Sequence, residues 1–224
     1  ILAYIKWLGT DVAKGKSPKG SGIFKLKGLK RAIDPAKGAE VYVAKCQSCH
    51  QADGGGVLAE GGKSYTYPPL WGAHSYNHGA GLYRMSNFAG YVKYNMPLGA
   101  TYEKPQLSDE EAWDLAAYVN SMPRPAKDLS KDWPDISGKP FDHPFGPYID
   151  PFPESQHKYG PYKPIKECFF PHKKMPSSLL DFVGKLIPVF HCPAVVGEEL
   201  NKIGINGLQF VNPATLRHKI RRHV

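Results

Sequence analysis

The pentapeptide Cys46-Gln47-Ser48-Cys49-His50 constrains this 224-residue chain more than any other feature. Two cysteines separated by two residues, with histidine directly after, form the attachment signature of a c-type haem. The spacing has a mechanical reason. The two sulfurs add to the vinyl groups on one edge of the porphyrin, and the histidine then lies beneath the ring as an axial ligand of the iron. A bare CxxC also suits a redox dithiol or half of a zinc site. Zinc needs a second ligand pair of similar spacing, and the other cysteines, Cys168 and Cys192, stand singly and far downstream. A thioredoxin-like dithiol needs a strand before the motif, and none is suggested. The implied cofactor is one covalent haem c (heme c), held by Cys46, Cys49 and His50.

An electron-transfer haem takes a sixth ligand, usually methionine or histidine. Met96, in Tyr94-Asn95-Met96-Pro97-Leu98, is the first choice. It follows a short helical pattern over Phe88 to Tyr94, and Pro97 disfavours the α conformation at the residue before it. The helix should therefore stop, and a soft thioether should stand on an extended loop, suited to haem iron. The plainer reading of Met96 is a core filler. Met85 is the rival methionine, read as packing, and Met122 looks structural. His74 and His78 flank a Gly-rich turn and are weaker candidates; His143 and His157 are weaker still. The expected metal ligands are His50 and Met96.

Helix signals surround these residues. Asp34-Pro35 opens a helix, with proline suited to its first turn, and Ala39, Val41, Tyr42 and Ala44 lead into Cys46. Ser108-Asp109-Glu110-Glu111 is a capping box with acidic residues in the first turn. Behind it Ala112, Trp113, Leu115, Ala116, Tyr118 and Val119 share one face, and the helix ends before Pro123. The order is helix, CxxCH, long loop, short helix, methionine loop and final amphipathic helix. Over residues 34–124 this resembles a class I cytochrome c. The implied fold is all-α, with crossed N- and C-terminal helices around a covalent haem, here followed by a long Pro-rich irregular extension. In such cytochromes a proline carbonyl often accepts the proton of the ligand histidine and fixes the ring. Pro68 or Pro69 is suited to that part, and Trp71 or Arg84 to meeting a haem propionate. Each of these is equally well read as packing or as a solvated charge.

Further stretches carry a sharper resemblance: Tyr67-Pro68-Pro69-Leu70-Trp71-Gly72, Asn77-His78-Gly79-Ala80-Gly81, Phe88 through Pro97, Gln106 through Trp113, and His157-Lys158-Tyr159-Gly160-Pro161-Tyr162. Together they resemble the C-terminal haem domain of TsdA-type thiosulfate dehydrogenases and related SoxA-like dihaem cytochromes. The resemblance implies tandem cytochrome domains: a first with a catalytic haem whose second ligand is cysteine, and a second, electron-transfer domain with histidine and methionine. The CxxCH and Met96 match the second. It also implies a periplasmic protein of the bacterial cell envelope.

The remaining organisation is read from composition. Residues 1–8 have helical apolar spacing, and Ala3-Tyr4-Ile5 can be laid on Ala117-Tyr118-Val119; they are expected to end a preceding haem domain. Residues 9–33, Gly- and Lys-rich at the start, form a linker, and 34–124 the cytochrome domain. Residues 125–167 form a Pro-rich strap across the cytochrome or a missing domain. The apolar and basic tail, 168–224, has no assigned role; Leu179 to Ile187 suggests a helix broken by Pro188, and Cys168 and Cys192 could pair in an exported protein.

The net charge of +9 is uneven. Residues 1–45 carry ten basic and three acidic residues, residues 46–167 carry 11 and 14, and residues 168–224 carry eight and three. The haem region is thus slightly acidic. No nucleic-acid recognition motif accompanies the basic excess, and no run reaches the ~18 apolar residues of a membrane span. The expected partner is a redox protein or a tandem haem domain.

Three functions compete. One is single-electron transfer, set in sulfur-compound oxidation. Another is a fragment of a dihaem thiosulfate dehydrogenase whose catalytic haem domain is elsewhere, so that no catalytic residue lies here. The last is a haem enzyme with an open iron site, such as a peroxidase, which a methionine on a proline-fixed loop disfavours. Whether the chain counts as an enzyme depends on what precedes Ile1.

Overall fold

The computed structural model describes residues 1–17 and 22–169. The chain divides into two units, Ile1–Lys163 and Pro164–Val224, and the site lies in the first. The expected tail helix over Leu179 to Ile187 and the pairing of Cys168 with Cys192 fall outside the described residues.

Helix α1 spans Leu2–Leu8 and buries none of its side chains. Helix α2, Pro35–Lys45, starts where the sequence marks it: Asp34 caps it by accepting from the amides of Ala36 and Lys37, with proline in the first turn. A one-turn helix, α3, covers Gln47–His50. The long loop holds a short antiparallel hairpin, β1 Val57–Leu58 and β2 Tyr65–Tyr67, with Val57 opposite Tyr67. This is a small addition to an otherwise helical fold. Helix α4, Met85–Asn95, begins three residues before the expected Phe88 and ends at Met96, which is extended at φ −137°, ψ 150° before Pro97. Helix α5, Asp109–Ser121, carries the complete capping box, Ser108 and Glu111 each bonding the other's backbone amide. Helices α6, Glu154–Tyr159, and α7, Tyr162–Phe169, lie in the Pro-rich stretch.

The core forms where α2 and α4 pack on α5. Eight residues of α5 are buried, among them Trp113, Leu115 and Val119. The crossing of α2 over α5 is made at Gly38, where a Cβ would stand 2.0 Å from the Asp114 carbonyl oxygen. Only a residue without a side chain lets the two backbones come that close. Beside the crossing, Arg31 grips Asp114 with two bonds of 2.8 and 2.7 Å, and the Asp34 amide donates to the same carboxylate at 2.8 Å. The hydrogen bond to Asp114 holds the Arg31 guanidinium more firmly protonated than usual.

Part of the segment expected as a linker touches the helices. From Ile23 onward it lies on the helices: Leu26 and Ile33 are buried, and the Lys27 carbonyl accepts from Trp113 Nε1 at 3.0 Å. A Cβ on Gly90 of α4 would meet the Phe24 carbonyl at 1.9 Å. The glycines and lysines hid an alternation of Ile23, Phe24, Leu26 and Ile33 too irregular for a helix or strand pattern.

Asp142, Tyr159 and Tyr162 of the Pro-rich stretch lie against the cytochrome region. Asp142, fully buried, accepts from Arg84 Nη2 at 2.7 Å and from the Ser86 amide at 2.9 Å, which fastens the strap to the start of α4. The Tyr159 carbonyl takes the Ile33 amide at 2.8 Å, and Tyr162 packs its ring 5.5 Å from that of Trp113.

Candidate functional site

The site is built on the turn between α2 and α3. The carbonyl of Cys46 accepts the amides of Cys49 and His50 at 3.1 and 2.9 Å, which curls the five-residue signature into one helical turn. Cys46 and Cys49 are each half-buried and are not joined to each other in a disulfide. Burial pushes the Cys46 thiol up to about 11, against the opposing pull of Lys45.

His50 is buried, and its Nδ1 lies 2.8 Å from the Pro68 carbonyl oxygen. A carbonyl only accepts, so Nδ1 carries the proton and Nε2 presents its lone pair. This is the arrangement in which an imidazole serves as a metal ligand. Of the two prolines left open by the sequence, the carbonyl is that of Pro68 and not of Pro69.

Two glycines bring the Pro68 segment to the histidine. Gly54 and Gly56 both have positive φ, at 64° and 71°. A Cβ on Gly56 would stand 2.2 Å from the Tyr67 carbonyl, and one on Gly54 would stand 2.2 Å from the Trp71 ring. The Gly56 amide donates to His50, and the Leu70 amide to Gly54, at 3.1 and 2.8 Å. The run Asp53-Gly54-Gly55-Gly56 is the sequence signal for this close approach, and it was not singled out.

The structure separates the other candidates. Trp71 is buried at the face of α2 and α5, its ring 4.9 Å from Tyr42 and 5.7 Å from Tyr118. Arg84 is committed to Asp142 through both Nε and Nη2. That carboxylate comes from 58 residues on, in the Pro-rich stretch. Burial works against the charge on Asp142, yet Arg84 and the Ser86 amide hold its carboxyl below the usual range. Met96 is half-buried on the extended turn after α4. Met85 is fully buried, with Asn120 Nδ2 3.8 Å from its sulfur, which places it in the core as expected. The weaker histidines have structural surroundings. His157 is enclosed between the Phe141 carbonyl and Asp150, and His143 sits edge-on to Trp133 and Phe145. Burial, aided by Arg84, lowers His143 to about 4. No helix among the described residues is long and apolar enough to cross a membrane.

The cytochrome c family profile matches residues 35–123. The thiosulfate dehydrogenase of Allochromatium vinosum is 47% identical over 125 residues, which is 56% of this chain and 44% of that protein. That of Stutzerimonas stutzeri is 41% identical over 125 residues, 56% of this chain and 39% of that protein. Among solved structures, thiosulfate dehydrogenase (TsdBA) from Marichromatium purpuratum in its as-isolated form is similar, with 35% identity and a TM-score of 0.52; the match covers 63% of this chain and 30% of that one. The chain spans less than half the length of these relatives. From its crossed helices, its haem-attachment turn and these matches, the chain carries a class I c-type cytochrome domain, related to those of thiosulfate dehydrogenases.

Proposed function

We propose that this domain carries single electrons through one covalent haem c in the oxidation of a sulfur compound. The supporting observation is the Pro68 carbonyl at 2.8 Å from His50 Nδ1, which leaves Nε2 of the CxxCH histidine ready for a metal. Cys46 and Cys49 on one helical turn suit two thioether bonds to one porphyrin edge. Met96 is the second ligand in this reading, because α4 stops there and frees its side chain from the helix. When bound, the haem supplies a one-electron Fe(III)/Fe(II) couple. The chain's own residues hold the ring, set the imidazole tautomer and exclude water with the aromatic packing of Tyr42, Trp71 and Tyr118.

A second reading is favoured by the thiosulfate dehydrogenase relatives. Here the chain is the electron-transfer part of a tetrathionate-forming dihaem enzyme, its partner is a tandem haem domain, and residues 1–8 end that domain. The expected setting is the bacterial periplasm.

The reading is tested by expressing the chain with a periplasmic export signal in a host that attaches haem c. The polypeptide should keep its haem through acid–acetone extraction and denaturing electrophoresis, and Cys46→Ala with Cys49→Ala should abolish the stained band. Haem that extracts freely from the parent chain would sink it.

A further inference from the structure

Tyr42 holds the haem-attachment signature at both ends. Its backbone carbonyl takes the Cys46 amide at 2.9 Å, and its hydroxyl donates to the Gln51 carbonyl at 2.6 Å. The ring is fixed from the sides: Tyr42 is 1% exposed, with the Trp71 and Tyr118 rings 4.9 and 5.4 Å away. Burial raises the phenol above its ordinary range, so the hydroxyl remains a donor at neutral pH.

Gln51 is where the chain leaves α3, at φ 66° and ψ 163°. That region is nearly closed to residues with a Cβ and is populated by glycine. A glutamine persists there only where its surroundings hold it. Its own side chain is exposed, so the hold is on the backbone. The Gln51 amide donates to the Gln47 carbonyl at 2.9 Å. The Gln51 carbonyl takes the Tyr42 hydroxyl and, at 3.2 Å, the Gly54 amide. The hydroxyl makes the shortest of these bonds.

The residue before this turn is His50. Its carbonyl takes the Gly56 amide at 3.1 Å, and its Nδ1 faces the Pro68 carbonyl at 2.8 Å. A Gln51 returned to negative φ would send the chain after His50 in another direction. The bonds from Gly54, Gly56 and Pro68 all depend on the direction it takes now.

We infer that Tyr42 is a positioning residue for His50: its hydroxyl keeps Gln51 in the positive-φ turn, and that turn keeps the Pro68 carbonyl on Nδ1. This rests on the haem reading proposed above. A phenylalanine at 42 fills the same space between Trp71 and Tyr118 and lacks only the bond to Gln51.

The experiment compares the haem-loaded full chain as parent, Tyr42→Phe, and the double variant Tyr42→Phe with Gln51→Gly. Haem staining comes first; a parent chain without covalent haem overturns the proposed function and this inference together. In stained, reduced protein two quantities are read: solvent exchange of the His50 Nδ1 proton by NMR, and the midpoint potential. Tyr42→Phe should speed the exchange about tenfold, the equivalent of one lost hydrogen bond. It should also shift the potential upward, because an imidazole less well held at Nδ1 is a weaker donor to the iron. The double variant should bring both back to the parent values, since glycine occupies φ 66° without strain and needs no hydroxyl to stay there. If Tyr42→Phe yields no stained protein, the double variant decides: parent values support the inference, and anything else overturns it. Parent values in Tyr42→Phe itself would overturn it and leave the haem reading intact. So would a double variant as displaced as Tyr42→Phe alone, since the hydroxyl would then act otherwise than through the turn at Gln51.

Discussion

Gly38 of α2 and Asp114 of α5 meet backbone to backbone: a single added carbon at Gly38 would stand 2.0 Å from the Asp114 carbonyl oxygen. The crossing of the two helices that frame the haem-attachment turn depends on that contact. Gly38→Ala should therefore destabilise the domain by about 3 kcal/mol, the upper range for overpacking, seen as a lower denaturant midpoint. Gly90→Ala pushes against Phe24, which lies on an arm and not in a helix. It should cost less, because the arm can lift. Equal losses for the two variants would show that the arm is as rigidly held as the helix crossing.

The two methionines divide by what their loss changes. Met96→Ala should remove the weak sulfur-to-iron charge-transfer band of the oxidised holoprotein with little loss of stability. Met96→His should lower the potential, since thioether favours Fe(II). Met85→Ala should keep the band and cost about 2–5 kcal/mol, the usual range for emptying a buried methionine site. A band that vanishes with Met85 instead would mean the wrong sulfur was chosen.

Acid should loosen the strap in two separate windows. His143 is lowered from 6.5 to about 4 by burial. Below pH 6.5 the unfolded chain gains a proton there that the folded chain refuses, so stability falls as pH drops toward 4, by at most ~3 kcal/mol. Asp142 is depressed below its ordinary 3.8. Its contribution is intact above that value and is lost as pH falls through the lower, folded one. His143→Phe should flatten the first window in a series of denaturant titrations and spare the second. Asp142→Asn should weaken the fold already at neutral pH, by about 3 kcal/mol, because Arg84 loses its partner.

Haem-loaded chain should exchange single electrons quickly and yet form no tetrathionate from thiosulfate with ferricyanide as acceptor. The reason is chemical: no cysteine lies between His50 and Met96, and in the proposed reading His50 and Met96 take both axial positions of the iron. Turnover on the order of 1 per second or more would contradict this. Activity that returns when an upstream haem domain is fused before Ile1 would support the dihaem reading.

What the sequence disclosed follows the range of each signal. The start of α2 at Asp34-Pro35, the capping box at Ser108 and Glu111, and the stop of α4 before Pro97 are all written within four residues. Each was therefore legible. The Arg84–Asp142 pair joins positions 58 apart, and no local pattern announces it, so Arg84 looked available. The hairpin of β1 and β2 has too few residues to show alternation, and Leu58 is exposed. The choice between Pro68 and Pro69 depended on the two glycine contacts at Gly54 and Gly56, which become visible only once the loop has folded back.

Trp113 ties these segments together. Fully buried in α5, it donates to Lys27 on one side and packs against Tyr162 on the other. A gene trimmed to residues 34–124 would strip away both neighbours and bare an indole to water. The smallest portable cassette is thus wider than its helices: anyone grafting this haem carrier into another protein should cut before Ile23 and after Tyr162.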